Sequence, residues 1–464
     1  MARNCCESFT RAEALRRAAQ RGVAREWDSR MPLPAGAGMD RRRFLMGAAG
    51  ALLSVYGASR SGLTNAVLGD GIAQAATNPS QGPILVSVFM QGGLDALSLL
   101  APVGDPMYRR LRPTLAVSQS AGIPFGEDPR LSWHPAAKSF AALHDAGKVT
   151  TFPGIGYSSP DMSHFTSRHY WEVGATDTRV ATGWLGRFLD VAGTASNPLQ
   201  GLSLDGQMNP TLATATNPVA AIDRPEDFSL WLDGVWGDVF NWTLDSAAAL
   251  GNAQSGARDP ALAQVARAAS EVGIVRQALA PFHDANGNAT YRSPVAYPTS
   301  GSSDFPQRLA GLAAMIAAGL PLRCVAMTTD TQFDTHAAQA PTFNSGVQLA
   351  ADSIAAFQAD LEARGIADRV LVHVWSEFGR RAQENGSGGT DHGAGGTSLL
   401  IGTRATGTMV GEFPGLATLD VNGNLVENVD FRSLYCSLLE QWFDHDAASV
   451  IPQAGAFARV NVVR

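Results

Sequence analysis

Residues Pro83–Met90 read PILVSVFM, a continuous apolar run of the kind that forms a strand buried on both faces of a sheet. Similar runs occur at residues 149–152, 322–329 and 369–375, and helical patterns lie between them. Strands that alternate with helices predict an α/β fold, in which a largely parallel sheet is sandwiched by helices. Residues 195–300 lack this alternation and are rich in Asn, Pro, Gly and Ser, so we interpret them as an irregular cap insertion beside the sheet.

Polar motifs stand at the ends of these predicted strands. Gly92-Gly93-Leu94-Asp95 follows the first strand, Phe333-Asp334-Thr335-His336 and Ser376-Glu377 follow two later strands, and Asp391-His392-Gly393 precedes a strand-like run at 397–401. Because the carboxyl ends of parallel strands share one edge of a sheet, carboxylates and imidazoles placed there can converge on one divalent ion. The predicted metal ligands are Asp95, Asp334, His336, Glu377, Asp391 and His392.

Each of these candidates also has a simpler explanation. Asp334 and His336 point the same way in extended chain, which suits one ion but equally suits a hydrogen bond that stabilises a loop. Glu377 is closely followed by two arginines and could belong to an ion-pair network. The glycine-rich loop around Asp391 could be a flexible surface loop. A carboxylate such as Asp95 after two glycines is more often a turn former than a ligand.

Ser163 stands at the start of a predicted helix, after Pro160-Asp161-Met162. A serine at this position is an ordinary helix N-cap. The same position also suits a nucleophile, because a helix N-terminus favours anionic oxygen and phosphate-like groups. A nearby metal would lower the pKa of the hydroxyl enough for attack. The neighbouring His164 and His169 fit either a supporting or a purely structural role.

Residues 39–75 carry the parts of a twin-arginine export signal. Paired arginines precede a modest apolar run at 47–56, and Ala73-Gln74-Ala75 is a small-x-small cleavage site. We expect translation to begin at Met39, which would make residues 1–38 a mis-annotated extension. The apolar run is too short and too rich in Gly and Ala to span a bilayer stably. We therefore expect a periplasmic or secreted protein that uses the twin-arginine export machinery and has no stable membrane span.

The net charge, the cysteines and the absence of several known motifs exclude some classes of partner and of enzyme. The formal net charge is −7 and the only lysines are Lys138 and Lys148, which argues against nucleic acid and anionic membrane as partners. Cys324 and Cys436 lie in apolar segments, so buried free thiols are expected rather than a disulfide. The sequence has no Gly-x-Ser-x-Gly elbow, no P-loop, no dinucleotide-binding glycine motif after a strand and no Cys-x-x-Cys. This excludes the simplest serine-esterase, kinase, dehydrogenase and redox functions.

Six motifs together resemble a bacterial family known only as a domain of unknown function, number 1501, whose members are typically exported by the twin-arginine route. They are Gly92-Gly93-Leu94-Asp95, Ser163-His164-Phe165, Gly183-Trp184-Leu185-Gly186-Arg187, Phe333-Asp334-Thr335-His336, Ser376-Glu377-Phe378-Gly379-Arg380 and Thr390-Asp391-His392-Gly393. That family looks like a branch of the alkaline phosphatase and sulfatase superfamily. The resemblance implies an alkaline phosphatase-like domain over residues 83–445, with the insertion at about 195–300.

The resemblance also implies roles for the candidate residues by their order along the chain. It makes Asp95 the first metal-binding Asp, Ser163 the nucleophile, Asp334 and His336 the later ligand pair, Glu377 the counterpart of a strand-end Asp-His, and His392 the final His. Two departures leave the number of metals open: one residue instead of three separates the Asp from the His, and Ser-Glu replaces Asp-His. Asp391 is a candidate for the missing carboxylate. The formylglycine motif of sulfatases is absent, which favours phosphate esters.

We therefore predict an exported hydrolase of phosphate esters, with sulfate esters second, that uses a metal-activated Ser163. The expected cofactor is a divalent metal, zinc before manganese or calcium, and the expected partner is a small-molecule or polymer ester. The alternative is a catalytically degenerate periplasmic protein of the same fold that binds a ligand or polymer.

Overall fold

The computed structural model describes residues 55–56, 82–227, 237–254, 256–284 and 286–464. The predicted extension at 1–38, the paired arginines and the cleavage site of the predicted export signal all lie outside the described residues. Of the helices within the described ranges, none combines the length and the apolar composition that crossing a membrane requires.

A mixed, mostly parallel sheet forms the centre of the molecule. Its strands are β1 (Val55–Tyr56), β2 (Ile84–Phe89), β6 (Val149–Gly156), β7 (Gly201–Ser203), β8 (Val219–Ala221), β9 (Cys324–Thr328), β10 (Val370–Trp375), β13 (Gly396–Ile401) and β14 (Val429–Asp430). Their order in the sheet is β1-β8-β7-β9-β2-β10-β13-β6-β14, and β13 runs antiparallel to both of its neighbours. The strands β8, β7, β9, β2 and β10 form a continuous parallel block.

Helices cover both faces of the sheet, and two small sheets lie beside it. The helices are α1 (Ala96–Leu99), α2 (Tyr108–Leu111), α3 (Lys138–Asp145), α4 (His164–Val173), α5 (Trp184–Ala192), α6 (Gly237–Ala253), α7 (Pro260–Leu279), α8 (Phe305–Ala317), α9 (Gln339–Ala363) and α10 (Phe431–Gln441). The small sheets contain β3 (Leu100–Ala101), β4 (Ile123–Pro124) and β5 (Ser132–Trp133), and β11 (Arg380–Glu384) and β12 (Thr390–His392).

The apolar run at 84–89 is buried on both faces, as its sequence predicts. Ile84, Val86 and Val88 belong to one hydrophobic cluster, whereas Leu85 and Phe89 belong to a second cluster on the other face of the sheet. Alternate residues of a strand point to opposite faces, so a strand between two helical layers must be apolar throughout. The predicted α/β sandwich is confirmed. Cys324 and Cys436 are buried free thiols.

Part of the segment that we interpret as an insertion belongs to the central sheet. The three-residue strands β7 and β8 lie within 195–300 and extend the parallel block beyond β9. Strands this short show no recognisable apolar periodicity, which is why the sequence pattern does not reveal them. Helices α6 and α7, which pack against each other, follow these strands. The strand alternation therefore continues further into the middle of the chain than expected.

Helix α7 carries a buried carboxyl group, Glu271, and this leads to a prediction about stability. Neither carboxylate oxygen has a hydrogen-bond partner within the described part of the chain, and burial raises the pKa of Glu271 to about 8 although Arg267 opposes the rise. Between its ordinary pKa and about 8, the unfolded chain loses this proton while the folded protein keeps it, so stability falls as pH rises. We expect Glu271→Gln to raise the free energy of unfolding by about 3 kcal/mol near pH 7 and to change it little near pH 4.

Denaturant unfolding of both proteins across this pH range measures the difference. Glu412→Gln is the control, because it makes the same change at a glutamate whose side chain is exposed. An equal pH dependence in wild type and Glu271→Gln would contradict the prediction.

Candidate metal centre

Helix α4 brings its first residue, His164, to the candidate site. Ser163 is the N-cap of this helix, and its Oγ accepts a hydrogen bond from the Thr166 amide at 3.4 Å. The His164 Nδ1 lies 2.7 Å from Glu377 Oε1, and its Nε2 lies 3.3 Å from Asp334 Oδ1. Since the ring is held on its Nδ1 side by Glu377, its Nε2 is directed towards Asp334.

The loop after β9 supplies Asp334 and His336. The His336 Nε2 lies 3.0 Å from Asp334 Oδ1, and its Nδ1 lies 3.0 Å from Asp391 Oδ1. The loop passes close to Gly92, which has a φ of +102°, and a Cβ atom there would lie 2.5 Å from the Asp334 amide nitrogen. Only glycine combines this backbone conformation with such a close approach, so Gly92 allows the loop to reach the sheet edge.

Strand β12 supplies a third imidazole, His392. Its Nε2 lies 3.2 Å from Asp334 Oδ1 and 3.1 Å from His336 Nε2, while its Nδ1 lies 2.8 Å from the carbonyl oxygen of Met162. The buried ring of Phe378 packs against both His392 and His164, with centroid distances of 5.0 and 4.8 Å. An apolar ring thus supports two of the imidazoles.

The three histidines share one arrangement: each Nδ1 faces an outer oxygen, and each Nε2 faces Asp334 Oδ1. An Nδ1 that donates its hydrogen outward leaves the Nε2 lone pair free as a metal ligand. Four-coordinate zinc binds nitrogen and oxygen at about 2.0–2.1 Å, which places neighbouring ligand atoms about 3.3 Å apart. The three distances from Asp334 Oδ1 to the Nε2 atoms, 3.0–3.3 Å, and the 3.1 Å between the Nε2 atoms of His336 and His392 match this spacing. We call His164, Asp334, His336 and His392 the candidate metal centre.

The candidate metal centre is a compact, half-open cluster. Ligand atoms of His164, Asp334 and His392 all lie within 4.8 Å of one another. The side chains of Asp334 and His336 are 34% and 46% exposed. A fully enclosed structural site leaves no room for another molecule, whereas this exposure lets a reactant reach the cluster.

Glu377 lies beneath the candidate metal centre as an outer partner. Its carboxylate accepts hydrogen bonds from the amides of Gly92 and Gly93 at 3.0–3.2 Å and from the Ser376 hydroxyl at 2.9 Å, in addition to its contact with His164. Burial alone would raise its pKa, but these hydrogen bonds, above all that from His164, lower it overall. The carboxylate is therefore ionised, and its oxygens are already occupied by protein donors.

Arg380 ties together the three loops that form the site. Its buried guanidinium donates to the carbonyl oxygens of Gly92, Gly93 and Thr390, and to Asp334 Oδ1 at 2.7 Å. Burial opposes ionisation of Asp334, but Arg380 and the surrounding imidazoles outweigh this effect and lower its pKa to about 2. Asp334 is therefore a carboxylate at neutral pH, as a metal ligand must be.

A family model described as "Protein of unknown function (DUF1501)" matches residues 158–450. The chain belongs to this family. The match includes every residue of the candidate metal centre together with Ser163, Glu377 and Asp391, whereas Asp95 lies before it. A search of curated proteins found no match.

Several solved structures are similar to this one. They include the C-terminal periplasmic domain of EcEptC from Escherichia coli in complex with Zn, which is 11% identical with a TM-score of 0.35 over 81% of this chain and 88% of that one. The sulfatase PsFucS1 from Pseudoalteromonas sp. is 12% identical with a TM-score of 0.32 over 85% and 77%. A protein in the alkaline phosphatase superfamily from Vibrio parahaemolyticus is 10% identical with a TM-score of 0.35 over 88% and 76%.

Asp95 lies apart from the candidate metal centre, in a buried ion pair with Arg112. Asp95 caps α1 by accepting a hydrogen bond from the Leu97 amide. Its carboxylate also accepts hydrogen bonds from Ser98 Oγ at 2.7 Å and from Gln339 Nε2 at 2.5 Å. Within the described chain, neither of its oxygens contacts the imidazoles or Asp334. Its carboxylate is fully used by protein donors, which differs from the metal-binding role that its position after β2 predicts.

The other predicted residues divide into two groups. Asp334, His336 and His392 converge directly. Glu377 and Asp391 lie one step outside and contact the Nδ1 atoms of His164 and His336.

Sequence analysis did not assign His164 to the metal. Its only sequence signal is its place beside Ser163 in the Ser-His-Phe motif. Ser163 occupies the helix N-cap position that both of its predicted roles require. His164 contributes a ligand atom to the candidate metal centre, whereas Asp95, which the sequence predicts as a ligand, does not.

Proposed function

We propose that this protein is an exported, zinc-dependent hydrolase of phosphate esters, with sulfate esters as the less favoured class. The observation that carries the proposal is the arrangement of three imidazole Nε2 atoms at 3.0–3.3 Å from one carboxylate oxygen, Asp334 Oδ1. Each imidazole is oriented by an outer oxygen acceptor, which is the usual support of a histidine that binds a metal.

The donor set favours zinc over the alternatives. Zinc is bound by nitrogen and carboxylate ligands in four-coordinate sites, whereas calcium takes six to eight oxygens and manganese prefers carboxylate and water. His164, Asp334, His336 and His392 would hold the ion. When bound, it would neutralise charge that develops on the ester oxygens during the reaction.

The chain itself would place Ser163 for attack on the ester. Among the residues that the structure describes, Ser163 Oγ makes a single hydrogen bond, the 3.4 Å contact to the Thr166 amide, and it belongs to the residue directly before His164. It also stands at the positive end of the ten-residue helix α4, where an alkoxide and a phosphate are both stabilised. Attack of Oγ on phosphorus would release the alcohol with a proton and leave a phosphoserine, which water then hydrolyses.

Ser163→Ala provides a direct test of this nucleophile. We expect the rate of ester hydrolysis to fall about 10³-fold or more, because the covalent route is lost. Bound zinc, measured by elemental analysis, should remain at the wild-type level, since Ser163 is not a ligand in this proposal. Loss of the N-cap should cost only about 1 kcal/mol, so the protein should stay folded.

The control is Ser158→Ala, an exposed serine in the same loop, which should retain full activity. Full turnover in Ser163→Ala would refute the role of this serine. A wild-type protein that binds zinc but hydrolyses no phosphate or sulfate ester would instead be the catalytically degenerate binding protein.

Export by the twin-arginine machinery is part of the proposal and depends on residues 39–75. This route carries folded proteins, which suits a site that must acquire its metal before export. Replacement of Arg41 and Arg42 by lysine should leave the protein in the cytoplasm, and fractionation of cells that express it would measure the change.

A further inference from the structure

Gln339, the first residue of α9, lies buried between the two ligand segments, which carry three of the proposed metal ligands. One segment is the loop after β9, with Asp334 and His336, and the other is β12 together with the glycine-rich loop before it. The Gln339 Oε1 accepts hydrogen bonds from Thr390 Oγ1 at 2.6 Å and from Thr335 Oγ1 at 3.2 Å. Since Thr335 lies in the first segment and Thr390 in the second, the carboxamide joins the two.

The carboxamide of Gln339 has its orientation fixed by Asp95. The Asp95 Oδ2 accepts a hydrogen bond from Gln339 Nε2 at 2.5 Å. Asp95 is buried and paired with Arg112, and an ionised carboxylate can accept hydrogen bonds but cannot donate them. The nitrogen of the carboxamide must therefore face Asp95, which leaves its oxygen to face the two threonine hydroxyls.

Backbone contacts bring the same two ligand segments together. The Thr390 amide donates to the carbonyl oxygen of Thr335 at 3.1 Å, and the Gln339 amide donates to that of Gly388 at 2.9 Å. A Cβ atom on Gly389 would lie 2.4 Å from the Thr335 carbonyl oxygen, so a larger residue there would push the segments apart. The glycine-rich loop is thus held against the loop after β9, which differs from the flexible surface loop that the sequence also allows.

The spacing of the candidate metal centre depends on how the two ligand segments are held. His392 Nε2 lies 3.2 Å from Asp334 Oδ1 and 3.1 Å from His336 Nε2, and each distance joins one segment to the other. Ordering a mobile segment costs conformational entropy, and an ion that had to order it would bind more weakly for that reason. Segments that buried hydrogen bonds already hold in place avoid this cost.

We propose that Gln339 is a positioning residue of the candidate metal centre. By joining Thr335 to Thr390, it holds the ligands of the loop after β9 beside His392 before an ion binds. This inference rests on the proposed function for the bound metal ion, but not for the ester. Gln339 would touch neither the ion nor the substrate, and it would act through the two threonines.

Thr390→Val tests this role, because valine has the shape of threonine but lacks the hydroxyl that donates to Gln339. We expect the dissociation constant for zinc, measured by competition with a chelator, to rise about tenfold. Thr390→Ser keeps a hydroxyl and should keep the wild-type affinity. Thr150→Val is the matched control: it removes a buried hydroxyl of β6, which accepts from the Gly407 amide at 2.9 Å, and should leave zinc affinity unchanged.

A second variant and a readout without zinc support the same test. Gln339→Met keeps the length of the side chain but removes both hydrogen bonds to the threonines, so it should weaken zinc binding at least as much as Thr390→Val. In metal-free protein, the amide of Gln339 should exchange its hydrogen about tenfold faster in Thr390→Val than in wild type, because its bond to the glycine-rich loop opens more often. Thr150→Val should exchange at the wild-type rate.

The positioning role and the proposed function fail in different ways. Equal zinc affinity in wild type, Thr390→Val and Gln339→Met would overturn the positioning role and leave the proposed function intact. A wild-type protein that binds zinc but hydrolyses no ester, with weaker zinc binding in Thr390→Val than in Thr390→Ser, would overturn the proposed function and support the positioning role.

Discussion

His164→Ala should remove the metal from the protein and abolish ester hydrolysis. His164 provides one of the three ligand atoms, with those of Asp334 and His392, that lie within 4.8 Å of one another, and it is the ligand furthest along the chain from the others. Without it, the remaining groups would hold zinc far more weakly, because loss of even an outer partner typically costs about 10- to 100-fold in metal affinity. Elemental analysis after dialysis should show about one zinc per wild-type chain and none in the variant.

Two further variants make this result specific. Glu377→Gln keeps the ligand but changes the group that orients it, so we expect an affinity loss of about 10- to 100-fold rather than complete loss. His169→Ala lies on the same helix but outside the cluster and should keep both zinc and activity. Zinc retained at wild-type affinity in His164→Ala would show that the four groups form a hydrogen-bonded network and not a metal site.

Arg112→Ala should destabilise the protein strongly while leaving the metal ligands in place. Arg112 and Asp95 are both buried, and removal of one partner leaves an unpaired charge in the interior. Such changes cost about 3–5 kcal/mol in free energy of unfolding. Denaturant unfolding measures this loss, and elemental analysis of the folded fraction should still find zinc.

Asp95→Asn distinguishes this structural role from the ligand role that the sequence predicts. A ligand role requires loss of zinc in Asp95→Asn, whereas an ion-pair role requires loss of stability with zinc retained. Burial raises the pKa of Asp95, but Arg112 and the other donors lower it overall. Its contribution to stability is therefore present above the ordinary aspartate pKa and lost as pH falls through the lower folded value. Arg179→Ala, in an exposed pair with Asp177, should change stability little.

Much of the fold follows from the sequence because its signals are local. An apolar run such as 84–89 can be satisfied only between two helical layers, and its alternate residues do pack into two separate clusters. The three-residue strands β7 and β8 cannot be predicted in this way, because they are too short to show an apolar pattern. The place of β7 in the sheet is set by pairing with β9, more than a hundred positions later in the chain, and β8 pairs with β7.

The candidate metal centre, like the fold, was only partly predictable from the sequence. Strand ends along one sheet edge predict six ligands together, and the structure brings three of them, Asp334, His336 and His392, into direct contact. The choice among the carboxylates depended on partners that arrive from distant segments. Glu377 meets the Gly92 and Gly93 amides 285 and 284 positions away, and Asp95 meets Arg112 in the interior. Charge, burial and available donors around each carboxylate decide whether it can bind an ion.

The sequence by itself determined the layered α/β architecture and the sheet edge at which the polar site residues lie. It could do so because apolar periodicity and strand ends depend on residues that are close together in the chain. Only the tertiary structure decided that His164 points inward beside Asp334 while Asp95 is neutralised by Arg112. The physical reason is that a side chain's role depends on the groups that satisfy its hydrogen bonds and charge, and the folded chain supplies those groups from far along its length.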